Sequence, residues 1–289
     1  VTPLSSFDSM GEVQLADWIE ELGLTIERNN RTIIKPLELD IFIPDKMIAI
    51  EFNGCYWHSE IYRDKNYHYN KWKACQAVGI RLIQVWEDDW TYRQDVAKNM
   101  LSNRLGVSNQ QSVYARKTQI DKAPHREEVR ELLDANHIQG FTGSSECYGL
   151  RFEGRLIAIL LLKKLGNEDE DWDLVRYATS CNIPGGFTKL LKAFRNDHPG
   201  SIKTFADLSW SNGDLYHQTG FNMVKRLEPD YSYIIKSDPQ RMHKFGFRKD
   251  VFKKDPNLKY DPAMTEAELA QLNGLIRVYD SGKLKFVLK

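Results

Sequence analysis

The chain has 289 residues with 40 basic and 40 acidic side chains, so its formal net charge is zero. Hydrophobic residues make up 42% and charged residues 28%, a balance typical of globular proteins that excludes a disordered chain. No apolar run approaches the roughly 18 residues of a membrane-spanning helix, and four scattered cysteines argue against a disulfide framework. We therefore expect a cytoplasmic protein without a membrane partner.

The first part of the chain alternates helical and strand patterns. Ser9 followed by Glu12 is typical of a capping box at a helix start, and Gly23 marks the end of that helix. In chain order, the patterns predict helix Met10–Leu22, a weak strand Arg31–Lys35, strands Glu38–Ile43 and Met47–Phe52, helix Asn66–Val78, strand Ile80–Trp86 and helix Tyr92–Leu105.

A small polar stretch at 106–112 predicts a linker between two domains, 1–110 and 111–289. Beyond it the patterns predict helix Arg126–Asn136, a strand pair within Tyr148–Lys163, an acidic loop Asn167–Asp171, strand Trp172–Ala178, helix Phe187–Asn196, strand Ile202–Leu208 and a closing hairpin Ile276–Val287.

Two acids lie in strands of the first domain that are otherwise apolar. Asp40 follows Leu39 in one strand, and Glu51 ends the next strand. A carboxylate among apolar residues is costly unless it is paired or binds a cation. Acids on adjacent strands can converge on one Mg²⁺, which prefers one or two carboxylates plus water and phosphate. Exposure at a strand edge is the alternative for either acid.

Four further residues could act with this acid pair. His58 follows the second strand, and an imidazole there suits a group that orients water or protonates a leaving oxygen. His68 and Lys71 lie one helical turn apart, where they face either the same cleft or solvent. Glu12 either reaches the metal or serves only as part of the helix cap.

Residues 40–58 and 79–87 resemble the very short patch repair (Vsr) endonucleases, and more closely the related EDxHD phage homing endonucleases. The resemblance covers residues 8–105. It implies a restriction-endonuclease-like fold, with Asp40 as principal metal ligand, His58 near the attacking water and Glu12 as the first acid. Asn53 stands where the common nuclease motif D…(D/E)-x-K has lysine, and either Glu60 or Asp64 completes the family pattern.

The second domain resembles the α+β core of GNAT acetyltransferases. Residues 175–191 occupy the place where such enzymes bind the pyrophosphate of acetyl-CoA, but the family's Q/R-x-x-G-x-G/A signature is absent. A strand, a Gly-Gly turn and a helix N-terminus can bind any phosphate. The turn is therefore interpreted as either a DNA-phosphate contact or a plain structural turn.

The segment 236–259 combines basic residues with interleaved phenylalanines. Basic side chains neutralise DNA phosphates, and run 241–249 is similar to one found in phage homing proteins. A solvated loop is the alternative. The predicted DNA-binding residues are Arg241, Lys244, Arg248, Lys249, Lys253 and Lys254.

Together these patterns predict an α/β protein: a restriction-endonuclease-like (Vsr-like) nuclease domain followed by an α+β GNAT-like domain. The predicted function is a Mg²⁺-dependent, site-specific DNA endonuclease of homing type, with Mn²⁺ as a substitute, double-stranded DNA as partner and a phage-infected or bacterial cell as setting. Mismatch-directed nicking, an acetyltransferase with a nucleic-acid module, and a DNA-binding protein with a decayed site are the alternatives. The predicted catalytic residues are Glu12, Asp40, Glu51, His58, His68 and Lys71, with Asp40, Glu12 and Glu51 as metal ligands.

Overall fold

The computed structural model describes residues 9–108, 112–166 and 169–289. Its helices are α1 Met10–Glu21, α2 Tyr67–Ala77, α3 Glu87–Tyr92, α4 Gln94–Leu105, α5 Arg126–Asn136, α6 Gly186–Asp197, α7 Asp214–Gln218, α8 Lys249–Lys254 and α9 Glu266–Leu272. Its strands are β1 Glu27–Asn30, β2 Leu39–Ile43, β3 Ile48–Asn53, β4 Arg81–Trp86, β5 Gln119–Asp121, β6 Glu146–Phe152, β7 Arg155–Lys164, β8 Trp172–Thr179, β9 Ile202–Asp207, β10 Asn222–Leu227, β11 Tyr231–Ile235, β12 Asp238–His243, β13 Leu275–Tyr279 and β14 Lys283–Leu288.

The chain divides into two compact units that are both discontinuous in sequence. Unit 1 comprises Val1–Tyr92, Asp207–Ser211 and Leu227–Lys283, and unit 2 comprises Arg93–Ala206, Asn212–Arg226 and Leu284–Lys289. The predicted boundary near residue 110 differs from this division, because α4 packs against α5 of unit 2. The basic segment 236–259 lies in unit 1. Residues 109–111 of the predicted linker and 167–168 of the predicted acidic loop lie outside the described residues.

Unit 1 contains a four-stranded sheet of order β1-β2-β3-β4. Strands β2 and β3 pair antiparallel, whereas β3 and β4 run parallel and are joined by the crossover helix α2. Helix α1 packs against β3. A Cβ added at Gly11 of α1 would lie 2.2 Å from the ring of Phe52, so glycine permits the close approach of helix and strand.

A second, three-stranded sheet of order β12-β11-β13 also belongs to unit 1. Helices α8 and α9 pack on it around a buried cluster formed by Tyr233, Phe252, Leu269, Ala270 and Leu275. The segment predicted as a DNA-binding stretch therefore folds with this small sheet and contributes Phe252 to its core.

Three predicted elements differ in the structure. Residues 31–37 form turns, and the edge strand β1 precedes them. The predicted helix Tyr92–Leu105 divides at Arg93 into the end of α3 and all of α4. The predicted closing hairpin does not form, because β13 pairs with β11 while β14 joins the sheet of unit 2. A residue pattern indicates a strand but does not name its partner.

Unit 2 is built on a seven-stranded sheet of order β10-β14-β9-β8-β7-β6-β5. Helix α6 covers one face, where Leu160, Leu174, Leu190 and Phe194 are buried together. Helix α5 covers the opposite face with Val129, Leu132 and Leu133 packed on Ile159, Leu161 and Ala178. The sheet is thus sandwiched between helices, as expected for a mostly buried sheet.

Strand β8 has two irregularities at the centre of this sheet. In its antiparallel pairing with β7, Arg176 faces Leu161 and Leu174 faces Leu162, so Val175 is the extra residue of a β-bulge. Its parallel pairing with β9 has only two register pairs, Trp172 with Ile202 and Asp173 with Lys203. Both strands lie wholly within the described residues, and beyond these pairs they diverge.

Within the described ranges, none of the helices combines the length and the hydropathy that crossing a membrane would require.

Candidate functional site

The structure brings together three of the residues predicted to be catalytic in unit 1. Asp40 and Glu51 lie on the adjacent strands β2 and β3, and Lys71 projects from α2. The Lys71 ammonium donates to Glu51 Oε2 and lies 3.9 Å from Asp40 Oδ1. Glu51 Oε1 also accepts from the Asp40 N–H at 3.2 Å, and Asp40 Oδ2 accepts from the Phe52 N–H at 2.9 Å.

One buried cation therefore faces two carboxyl groups. Burial raises the pKa of Glu51 to about 8; Asp40 adds to this rise, and Lys71 opposes it. Burial also raises the pKa of Asp40 against the opposing charge of Lys71. Burial alone lowers the pKa of Lys71, but Glu51 and Asp40 outweigh it and the net pKa is raised. The cluster thus favours a charged lysine and retention of a proton on its carboxyl pair.

His58 and His68 form a second buried pair, with ring centroids 5.1 Å apart and the rings stacked. His68 Nδ1 lies 2.9 Å from Gln84 Oε1. In the part of the chain that the structure describes, the buried His58 Nδ1 and His68 Nε2 have no hydrogen-bond partner. Burial lowers the pKa of His58 to about 3, and Arg63 and Lys71 add to this effect. A neutral His58 does not fit the predicted proton donor near neutral pH.

The remaining predicted acids have local contacts. Glu12 lies in the first turn of α1, where its N–H donates to Ser9 Oγ at 3.2 Å, as the cap predicts. Glu60 Oε1 accepts from the Arg277 N–H at 3.0 Å, and Asp64 Oδ1 accepts from the Asn66 N–H at 2.8 Å. Neither Glu60 nor Asp64 is distinguished by these contacts as the last acid of the EDxHD pattern.

Arg241, predicted to contact DNA, has a structural role inside unit 1. Its Nε donates to Asp88 Oδ1 at 2.7 Å and its Nη2 to Asp89 Oδ2 at 2.8 Å. Its guanidinium also lies over the Trp86 ring, 4.7 Å from the centroid. Burial raises the pKa of Asp89 to about 6, an effect that Arg241 opposes. Both acids and the arginine are therefore held as one buried ionic cluster.

The other predicted DNA-binding residues divide into two groups. Lys244 pairs with Asp230 at 2.5 Å and Arg248 pairs with Glu266 at 3.3 Å, while Lys249 Nζ donates to the Pro262 carbonyl at 2.8 Å. Lys253 and Lys254 are the two predicted DNA-binding residues that lie exposed on α8. Double-stranded DNA as a partner stays a prediction.

Unit 2 presents a different candidate site, the cleft where β8 and β9 diverge. Thr204 of β9 lies at the last contact between the two strands, and its Oγ1 donates to the Leu174 carbonyl at 3.0 Å. Tyr216 of α7 forms a side-chain hydrogen bond with Thr204, and burial raises the pKa of its phenol against the effect of this bond. The closed end of the cleft therefore carries a buried, protonated phenol.

The open end of the cleft is formed by the start of α6. Gly185, with φ of 78°, is the N-cap residue and has no side chain with which to cap the helix. A Cβ on Gly186 would lie 2.9 Å from Ile183 Cγ2, so glycine is needed for the tight entry. The Tyr177 hydroxyl accepts from the Phe187 N–H and occupies part of this helix end.

Sequence reasoning noticed the Gly-Gly turn but missed the bulge at Val175, the Thr204 contact and Tyr216. A bulge is a mismatch between two strands, so it has no signal in one strand alone. Tyr216 lies in the five-residue helix α7, too short for a helical periodicity to reveal it.

No protein-family model matches the sequence, and a search of curated proteins finds no significant match. Solved structures similar to part of the chain include a GNAT family acetyltransferase from Elizabethkingia anophelis with acetyl-CoA bound, at 16% identity and a TM-score of 0.31. They also include a Bacillus subtilis acetyltransferase in complex with CoA, at 13% identity and a TM-score of 0.34. A third is an IAA acetyltransferase from Bacillus cereus, at 12% identity and a TM-score of 0.30. The Elizabethkingia match covers 60% of this chain and 98% of that protein, and the Bacillus subtilis match covers 60% and 99%. The Bacillus cereus match covers 59% of this chain and 98% of that protein.

The chain has a mixed α/β fold, which confirms that part of the sequence prediction, and about 60% of it is similar to the GNAT and other acetyltransferase structures named above. Similarities at these identities and TM-scores concern the fold alone. The Vsr-like fold predicted for residues 8–105 remains a prediction.

The prediction of a metal-dependent DNA endonuclease, of homing or mismatch-nicking type, is wrong. Among the described residues, no group of three or more His, Cys, Asp or Glu is placed to hold a metal ion, so Mg²⁺ or Mn²⁺ at Asp40, Glu12 and Glu51 is not supported. The ammonium of Lys71 supplies the positive charge expected from the metal.

The raised pKa of Glu51 predicts a specific pH dependence of stability. Between about pH 4.5, the ordinary value, and about pH 8, the folded state holds a proton that the unfolded state has released. The free energy of unfolding should therefore fall as pH rises through this window, by at most about 1.4 kcal/mol per pH unit. Urea denaturation at several pH values should show this slope in the wild type and a flatter one in Glu51→Gln.

Glu21→Gln, which changes an exposed carboxyl on α1, is the matched control and should keep the wild-type slope. Parallel pH curves for Glu51→Gln and the wild type would show that Glu51 ionises normally in the folded protein.

The ionic cluster around Arg241 predicts a large stability effect. Arg241→Met keeps most of the side-chain volume but leaves Asp88 and Asp89 buried without their cation, so unfolding should become easier by about 3–5 kcal/mol. Lys253→Met, on the exposed face of α8, should change stability by less than about 0.5 kcal/mol. Denaturation midpoints measure both, and equal effects would contradict the structural role of Arg241.

Proposed function

We propose that unit 2 binds an acyl-coenzyme A thioester in the cleft between β8 and β9 and transfers the acyl group to an amine. The divergence of these strands after Asp173 and Lys203 carries the proposal. Parallel neighbours in a sheet normally continue to pair along their length. Here two central strands pair at only two positions, and the proposal places the ligand along the edge that this leaves unpaired.

The unpaired edge of β8 suits the pantetheine arm of coenzyme A. Beyond Leu174, the β8 backbone groups that point toward β9 have no strand partner in the register of the sheet. An extended ligand with amide groups can satisfy such an edge in the manner of an added strand. Bulges next to binding sites re-aim the backbone locally, and the bulge at Val175 lies at the start of this edge.

The diphosphate of coenzyme A would lie at the N-terminus of α6. The 12-residue helix has its positive dipole end there. Its first two N–H groups already donate, that of Gly186 to the Ile183 carbonyl and that of Phe187 to the Tyr177 hydroxyl, so the dipole and the Tyr177 hydroxyl are what this end supplies. The chain lacks the family's Q/R-x-x-G-x-G/A signature, so this contact relies on the helix start and Gly185. The Tyr177 hydroxyl shares the helix end, and a phenol can donate its own proton to a phosphate oxygen.

Tyr216 is the proposed proton donor for the leaving group. In the reaction an amine nitrogen attacks the thioester carbonyl, a C–N bond forms, the C–S bond breaks and the sulfur takes a proton. Burial keeps the phenol protonated, and Thr204 holds it at the closed end of the cleft. A diphosphate at α6 places the far end of the pantetheine arm toward this position. Tyr216 is then positioned for general-acid catalysis.

Thr188→Glu tests the proposed binding of coenzyme A. Thr188 is exposed in the first turn of α6, where a negative charge stabilises the helix by about 0.3–1 kcal/mol. The same charge repels a diphosphate, so coenzyme A affinity should fall at least about tenfold while the melting temperature stays level or rises. Isothermal titration with coenzyme A and thermal unfolding measure the two effects.

Thr188→Gln is the neutral control of similar size and should bind coenzyme A as the wild type does. Absence of coenzyme A binding to the wild type, or equal affinity of the Glu and Gln variants, would overturn the proposed placement.

Tyr216→Phe tests the proposed chemistry. Loss of the phenol proton should lower kcat for acyl transfer by about 10²-fold, in the range of general-acid effects. The affinity for acetyl-CoA should stay within about twofold, because the ring remains packed. Thiol release during steady-state turnover, beside titration with acetyl-CoA, separates the two. An unchanged kcat would remove Tyr216 from the mechanism.

A further inference from the structure

Arg176 directly follows the bulge residue Val175 in β8, and in the described part of the chain its guanidinium bonds only to backbone carbonyls. Its Nη1 donates to the Val175 carbonyl at 2.7 Å, and its Nε reaches the Gly140 carbonyl at 3.4 Å, the limit of a hydrogen bond. Among the described residues its hydrogen bonds go to these two carbonyls, and no ion pair with a carboxylate is found there. Burial lowers the pKa of Arg176, and only Asp173 opposes this shift through its charge.

Further positive charge lies around the loop that follows α5 and contains Gly140, whose carbonyl Arg176 contacts. Arg93 donates to the carbonyls of Ile138 and Asp134 at 2.9 and 2.7 Å, and so caps the end of α5. Burial lowers the pKa of His137 to about 3, and Arg176, Arg93 and Arg104 add to this effect.

The carboxylate of Asp134 does not balance this charge directly. Its Oδ1 accepts from the Phe141 N–H at 2.9 Å, and no ion pair joins Asp134 to Arg93 or Arg176 in the described part of unit 2. The helix end explains Arg93, whereas Arg176 has two carbonyl partners and the more distant charge of Asp173 but no paired carboxylate among the described residues. A half-buried guanidinium without an anion is costly, and its planar fork matches a carboxylate or phosphate.

We propose that Arg176 recognises an anionic group on the acyl acceptor, so that the acceptor is a small amine carrying a carboxylate. The inference rests on the acyl-transfer function proposed above, because it assigns the second substrate of that cleft. Arg176 lies two residues after Leu174, whose carbonyl receives the Thr204 hydroxyl next to Tyr216. The anionic end of the acceptor binds Arg176 while its amine faces the thioester.

This arrangement makes Arg176 a specificity residue that takes no part in bond making. The acceptor amine forms the C–N bond and loses a proton to solvent, and coenzyme A leaves as its thiol. The carboxylate gains a charge-assisted, bidentate contact that an uncharged amine lacks. Such a contact changes kcat/KM for the acceptor and leaves the affinity for acetyl-CoA unaffected.

The test compares three acceptors of similar size with acetyl-CoA as donor: β-alanine, propylamine and phosphoethanolamine. Thiol release should give a kcat/KM for β-alanine at least about tenfold above that for propylamine. Arg176→Met should abolish this preference without changing acetyl-CoA affinity, and Arg176→Lys should restore part of it. Arg155→Met, an exposed position at the start of β7, is the matched control and should behave as the wild type.

A second readout does not need turnover. Glutarate and inorganic phosphate, added separately in the presence of coenzyme A, should raise the melting temperature of the wild type and of Arg155→Met but not of Arg176→Met. A larger shift with glutarate supports the carboxylate, whereas a shift with phosphate alone, or a preference for phosphoethanolamine, overturns that assignment. Equal use of propylamine and β-alanine, or equal shifts in the Arg176→Met variant, also overturns it.

Failure of the two proposals is distinguishable. Loss of the acyl-transfer proposal appears as absence of coenzyme A binding, and the anion shifts then still decide whether Arg176 forms an anion site. Loss of the acceptor proposal appears as intact coenzyme A binding without an effect of Arg176→Met.

Discussion

The interruption of pairing between β8 and β9 is the constraint on which unit 2 depends. Parallel strands at the centre of a seven-stranded sheet would normally satisfy each other's backbone groups, yet here the register ends after Asp173 and Lys203. Unsatisfied backbone groups inside a protein are costly. The sheet tolerates the gap because α5 and α6 seal its two faces with separate apolar clusters. A ligand with amide groups can then occupy the edge that β9 leaves.

The side chains around this gap also include polar groups that the protein satisfies only in part. Thr204 closes one end by bonding to Leu174, and Tyr216 is held there as a protonated phenol. Val175 adds one residue to β8, and Arg176 emerges beside it with carbonyl partners only. The backbone gap and the uncompensated guanidinium are thus neighbours. Each group is costly to bury without a partner. The proposed thioester substrate would pair with the backbone edge, and the proposed anionic amine would pair with the guanidinium.

Unit 1 shows how buried charge is satisfied without a ligand. Lys71 neutralises the pair Asp40 and Glu51, and Arg241 joins Asp88 and Asp89. In both clusters a lysine or arginine distant in sequence stands beside acids that would otherwise be buried alone. Such clusters resemble catalytic or nucleic-acid sites when only residue types are seen. In this structure Lys71 donates to Glu51, and Arg241 donates to Asp88 and Asp89, so each cation lies next to the acids whose burial it offsets.

The sequence alone determined the local elements: the cap at Ser9, strands β2, β3 and β4, the turn into β7 and the strand, Gly-Gly turn and helix of β8 and α6. These follow from short-range periodicity and turn chemistry. It also predicted that Asp40 and Glu51 converge, because isolated acids in apolar strands need a partner, and it left Lys71 facing either that cleft or solvent. Only the tertiary structure decided that this partner is a lysine, that β13 and β14 belong to different sheets, and that β8 and β9 diverge. Those outcomes depend on contacts between residues far apart in the chain, and such contacts leave no signature in the spacing of neighbouring residues.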